Sequence, residues 1–218
     1  MPMAMASEKV GDALSLYVWR EPARRLAATG LDANALAGAS VALGALAFLL
    51  FWRGHFALGL VCATAATIIQ IAGSLRERRQ GWRDLPAVIV PLFWWWGWSH
   101  GLAAWGKLPA PVYGIMVLWA VVGGAAADVA VARSFERRFG GLRLDAWREF
   151  DSRFALGAAG PSINLAILAL SLIARRPVAG LVMVAWWTIA TVIVHAVRLA
   201  QASEQAARGA TVKSWLSE

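Results

Sequence analysis

Residues 35–75 read ALAGASVALGALAFLLFWRGHFALGLVCATAATIIQIAGSL. Two apolar runs, 35–52 and 57–75, flank the joint Trp52-Arg53-Gly54-His55, and neither run contains a charge. A run of about 18 or more apolar residues is long enough to cross the roughly 30 Å of bilayer hydrocarbon. Lipid offers no partner for backbone N–H and C=O groups, so each run must be a helix. The short joint then makes the pair a tight helical hairpin. The same reading extends outward to apolar runs at 86–105, 110–132, 154–174 and 177–199. Arg175-Arg176-Pro177 makes a second tight joint between the last two. The chain is 59% hydrophobic and 16% charged, with a mean hydropathy of +0.57, which is far from a soluble domain. The expected fold is all-α and integral to the membrane: six transmembrane helices over 35–200, a cytoplasmic or interfacial segment over 1–34 and a cytoplasmic tail over 201–218.

Charge sets the expected orientation. With six spans, all but four of the 21 Lys and Arg fall on the side that holds both termini; the exceptions are Arg53, Lys107, Arg175 and Arg176. Basic residues accumulate on the cytoplasmic side, so both termini are expected there, in a multi-pass protein of the inner or plasma membrane. The same bias explains the net charge of +8 without nucleic acid and makes anionic lipid headgroups the expected partner. The first 34 residues hold Lys9, Asp12, Arg20, Glu21, Arg24 and Arg25 and no unbroken apolar core, which does not fit a signal peptide. Val10, Ala13, Leu14, Tyr17 and Val18 instead recur at helical spacing over 7–29, opposite Lys9, Asp12, Ser15 and Arg20. Such a helix lies in the headgroup layer or packs on the protein. Cys62 is the only cysteine and reads as a small apolar filler.

Few residues can carry chemistry. Trp94, Trp95, Trp96 and Trp98 crowd the third run, beyond Pro91, where helix packing with a lipid-facing belt competes with a flat-walled cavity for a lipid chain. Asp128 is the one acid well inside a span, about 7 Å from the inner boundary by helix rise. An intramembrane carboxylate is costly and faces a partner or a polar cavity. Thr67, Gln70, Ser162, Asn164 and His195 share its depth, so these six either line one inward-open pocket or make separate interhelical hydrogen bonds. No Walker loop, HExxH, CxxC or GxSxG occurs, and the three histidines fall at different depths, which disfavours zinc.

Arg24-Arg25-Leu26 leads to Gly30-Leu31-Asp32-Ala33-Asn34; Arg53-Gly54 makes a short turn; Asp151-Ser152-Arg153-Phe154 precedes the fifth run. Together with six spans and an amphipathic first helix, these features resemble the CDP-alcohol phosphatidyltransferases over about residues 7–200. That family carries D-x2-D-G-x2-A-R-x8-G-x3-D-x3-D at the inner ends of spans two and three. Its carboxylates hold divalent metals against the donor pyrophosphate, and one helps deprotonate the attacking alcohol. If Gly73 matches the signature glycine, the first two aspartates fall on Ile69 and Ala72, and the Ala-Arg pair on Arg76-Glu77. Asp84 aligns with a second-pair aspartate only at shortened spacing, and Val88 then replaces its partner. A fainter echo begins at Asp128-Val-Ala-Val-Ala-Arg133 and continues to Gly141, Asp145 and Glu149, in the wrong span for the order of the rest.

The resemblance implies a protein of phospholipid or head-group metabolism, and the missing acids imply a non-catalytic one: a lipid-binding module or a partner of itself or of an active paralogue. No metal or other cofactor is then expected. Arg76, Arg78, Arg79, Arg83 and Arg133 sit where lipid phosphate would be held. An active transferase would need Mg or Mn on rearranged ligands drawn from Asp84, Asp128, Asp145 and Glu149. An unrelated small transporter component is the third reading.

Overall fold

A computed structural model of the chain describes residues 17–76, 85–106, 108 and 111–215. Among these residues every regular element is helical. Helix α1 spans Tyr17–Ala28, α2 Ala33–Trp52, α3 Phe56–Arg76, α4 Leu85–Ala104, α5 Pro111–Arg138, α6 Glu149–Gly157, α7 Pro161–Ile173 and α8 Pro177–Ala207. A single 3-10 turn, Leu144–Ala146, precedes α6. Four stretches are long and apolar enough to cross a membrane: Ala33–Trp52, Phe56–Gly73, Val112–Arg138 and Pro177–Ala207.

The hairpin closes as its sequence demands. Asp32 caps α2 by accepting from the Asn34 N–H at 3.0 Å. At the far end Gly54 N–H donates to Phe51 O (2.9 Å) and His55 N–H to Leu50 O (2.8 Å), which satisfies two of the last free carbonyls of α2. Helix α2 then packs along both α3 and α4. The approach to α4 is at backbone distance: a Cβ on Gly97 would lie 2.7 Å from Phe48 O, and one on Gly101 would lie 2.0 Å from Phe51 O. Only glycine fits at such a crossing. Around it the rings of Phe51 and Phe56 meet Trp98 edge-on at 5.0 and 4.9 Å. Trp94, Trp95 and Trp98 are buried while Trp96 faces outward, so the tryptophan run is helix packing with one ring on the belt.

Helix α1 packs on α3. Ala23, Leu36 and Ala72 form a small apolar cluster there, with Leu26, Ala27, Ile68 and Ile69 against it. The earlier half of the predicted 7–29 helix lies outside the described residues.

The second half of the chain departs from the expected spans. The run at 154–174 is two helices: α6 ends at Gly157, and α7 has only 13 residues, about 20 Å of rise. Pro161 supplies the physical reason. It has no N–H to continue a helix and forces the residue before it out of the helical region; Gly160 sits at φ −146, ψ 171. The run at 177–199, by contrast, continues as helix to Ala207. Gly140 and Gly141, at φ +62 and +86, end α5, and Gly141 N–H bonds back to Glu136 O at 2.7 Å. Helix α8 packs along α5 and beside α7, and α7 also meets α3.

Candidate functional site

One face of α8 organises the polar groups of this half. Thr188, Thr191, His195, Arg198, Ala202 and Gln205 recur at intervals of three and four, so they stack on a single stripe. Each meets a different partner. Thr188 fits against Gly124 of α5, where a Cβ would lie 2.6 Å from its methyl group. Thr191 Oγ1 accepts from Ala159 N–H at 3.0 Å, satisfying backbone freed by the α6–α7 break. Trp187 Nε1–H donates to Gly157 O (2.7 Å) on the other side of the same break.

His195 Nδ1–H donates to Asp128 Oδ1 of α5 at 2.6 Å, and the ring meets Phe154 of α6 edge-on at 5.6 Å. Neither side chain is sealed: the pair is 17% and 26% exposed. A carboxylate on Nδ1 fixes the orientation and tautomer of the ring. One turn on, Arg198 grips the buried Asp151 with two bonds, Nε to Oδ1 (2.5 Å) and Nη2 to Oδ2 (2.7 Å), and reaches Gln201 Oε1 with Nη1 (2.6 Å). This planar fork matches the carboxylate in a way lysine could not. Trp147 carries guanidinium groups from Arg198 and Arg148, each 4.5 Å from its ring. Arg148 Nη2 also reaches Gln205 Oε1 at 3.0 Å. Residues 214–215 strap this knot: Ser214 Oγ donates to Ala146 O (2.9 Å) and Trp215 Nε1 to Ser152 Oγ (2.9 Å).

The six residues expected to share a depth divide between two seams. Asp128 and His195 join on α5–α8. Thr67 is on α3 and donates to Ala63 O of its own helix at 2.8 Å. Gln70 of α3 and Asn164 of α7 lie on helices that pack together, and each has a buried side-chain oxygen without a hydrogen-bond partner among the described residues. Ser162 is buried at the start of α7. Arg133 is exposed near the C-terminal end of α5. Arg78, Arg79, Arg83 and Asp84, and the side chain of Arg76, lie outside the description.

Of the alternative metal ligands, the three within the described residues each have a basic partner. Asp128 is taken by His195, Asp145 by Arg143 (3.1 and 2.5 Å) and Glu149 by Arg153 (2.5 Å). Among the described residues no group of three or more His, Cys, Asp or Glu could hold a metal ion. At the signature positions Ala72 is fully buried and Ile69 is packed into the α1–α3 cluster, so the residues there do not fit a divalent cation. Sequence reasoning missed Asp151, Arg198, Trp147 and Thr191. The repeat of polar residues on α8 is the signal that could have found three of their contacts.

Length and apolarity thus define the class, an all-helical protein with membrane-length helices. No protein-family model, curated protein or solved structure matches the chain.

Proposed function

We propose that the chain is a six-span membrane protein related in fold to the CDP-alcohol phosphatidyltransferases, without their chemistry, acting as a lipid-binding or partner subunit in phospholipid or head-group metabolism. Helix α4, at 20 residues, and the α6–α7 pair supply the fifth and sixth crossings. The basic ends of α1 and α5 face the cytoplasm with both termini.

One observation carries the non-catalytic reading. Where the family holds its first aspartates, this chain has Ile69 and Ala72, and α1 covers them with Ala23 and Leu26. A magnesium ion needs oxygen ligands, and an apolar seam offers none. The test is CMP release from CDP-diacylglycerol and other CDP-alcohols by purified protein with Mg or Mn. We expect none above background; robust metal-dependent turnover lost in Asp128→Asn would overturn the reading.

A second reading rests on the Asp128–His195 pair. A carboxylate-held imidazole, partly open and inside a membrane-spanning helix, is the arrangement of a general base or a proton site. If it works so, His195→Gln abolishes an activity or a proton flux in reconstituted vesicles while the protein stays folded.

A further inference from the structure

Among the described residues, some arginines are held by an acid and some are not. Arg25, Arg143, Arg153, Arg198 and Arg208 are each held by an acid. Arg133 and Arg137 near the C-terminal end of α5 are exposed and make no ion pair among the described residues, although Glu136 lies on the same turn. Spaced by four, they sit one above the other on one face.

That face continues along the helix. Ala130, Ala126 and Trp119 follow Arg133 and Arg137 at intervals that keep them in line, and all are exposed. Helix α5 is the least buried of the four membrane-length helices, at 11% of its apolar window. From Trp119 to Arg133 the rise is about 21 Å, enough to run from the headgroup layer to just past the bilayer centre. The face therefore has the plan of one lipid molecule: two cations at phosphate depth, a shallow trough of alanine beneath them and an aromatic floor.

We infer that this face of α5 binds one anionic phospholipid of the leaflet that meets the Arg133 end, its phosphate between Arg133 and Arg137 and an acyl chain along Ala130 and Ala126. Charge selects the occupant. A second copy docked here about a two-fold axis normal to the membrane would set the same two arginines of each copy against each other. An anionic headgroup neutralises them. The inference deepens the lipid-binding reading above and rests on it only for which leaflet is meant. It stands or falls separately from the absence of transferase activity, which the CMP assay measures.

The test uses the full-length protein in detergent with equal amounts of phosphatidylglycerol and phosphatidylcholine, read by native mass spectrometry of retained lipid. One cation near the surface is worth about fivefold in affinity for anionic lipid, so the pair is worth about 25-fold. Wild type should retain phosphatidylglycerol over phosphatidylcholine. Arg133→Gln/Arg137→Gln should lose about 25-fold of that preference, Arg133→Lys/Arg137→Lys should keep most of it, and Arg175→Gln/Arg176→Gln at the opposite end should change nothing. Ala126→Leu/Ala130→Leu, which fills the trough and leaves the charge, should weaken retention of both lipids. Equal preference in wild type and the double glutamine variant overturns the inference. So does a wild-type dimer that the leucine variant converts to monomer, since the face would then belong to a second copy.

Discussion

The two halves of the molecule share one apolar core and differ in what is added to it. In α2–α3–α4 the contacts are dry: backbone against Gly97 and Gly101, rings of Phe51, Phe56 and Trp98, and one hydroxyl, Ser40 donating to Ala66 O at 3.0 Å. In α5–α8 the same apolar core continues through Val121, Leu168 and Val184, and a ladder of hydroxyl, imidazole and guanidinium groups, each with its own partner, is added to it. Lipid tails are as apolar as leucine, so neither half gains from a hydrophobic effect between its helices. The first half depends on shape and fails when volume is added. The second depends on pairing and fails when one member of a pair is removed.

Five substitutions would break or sharpen that contrast. Asp151→Ala should be the most damaging, about 3–5 kcal/mol, because it leaves the Arg198 guanidinium enclosed and unpaired; the side chains of the pair are 4% and 12% exposed. A reversible unfolding titration in mixed micelles measures it, and a stability within about 1 kcal/mol of wild type would place the pair in open water. Gly101→Ala should cost about 1–3 kcal/mol by overpacking against Phe51 O, although it adds only a methyl group. The same change at Gly123, where a Cβ meets nothing, should be close to neutral, and equal losses at both sites would remove the steric account. Thr191→Val keeps the shape and removes the acceptor of Ala159 N–H; about 0.6 kcal/mol is expected, as for other hydrogen bonds between membrane helices. Faster amide exchange at Ala159 should accompany it. Arg153→Gln removes an exposed pair with Glu149 and should cost no more than about 1 kcal/mol, less at high salt.

The contrast also explains which features are legible in the sequence. The first half is written locally: Asp32 before α2, Arg53-Gly54 after it, and unbroken apolar runs between. Its tryptophans pack because the glycines beside them let α2 close in, a relation between two runs that pattern alone leaves open. The second half depends on distant partners. Asp151 and Arg198 are 47 positions apart, and in sequence each is only one more charge in a basic inner face. The break at 158–160 hides in a run of small apolar residues, and Gly160-Pro161 is its one local sign. Of the site, Asp128 and His195 are legible because charge inside a span is rare. The absence of acid at Ile69 and Ala72 is legible too. That α1 lies over those two residues is not, since it depends on where a short amphipathic helix comes to rest.

The Asp151–Arg198 grip also has a consequence in time. Asp151 is made 47 residues before the arginine that neutralises it. At about 5–20 residues per second, the carboxylate waits roughly 2–9 s for its partner. The strap from Ser214 and Trp215 arrives later still. The carboxylate on α6 therefore gains its guanidinium partner only once α8 has been made.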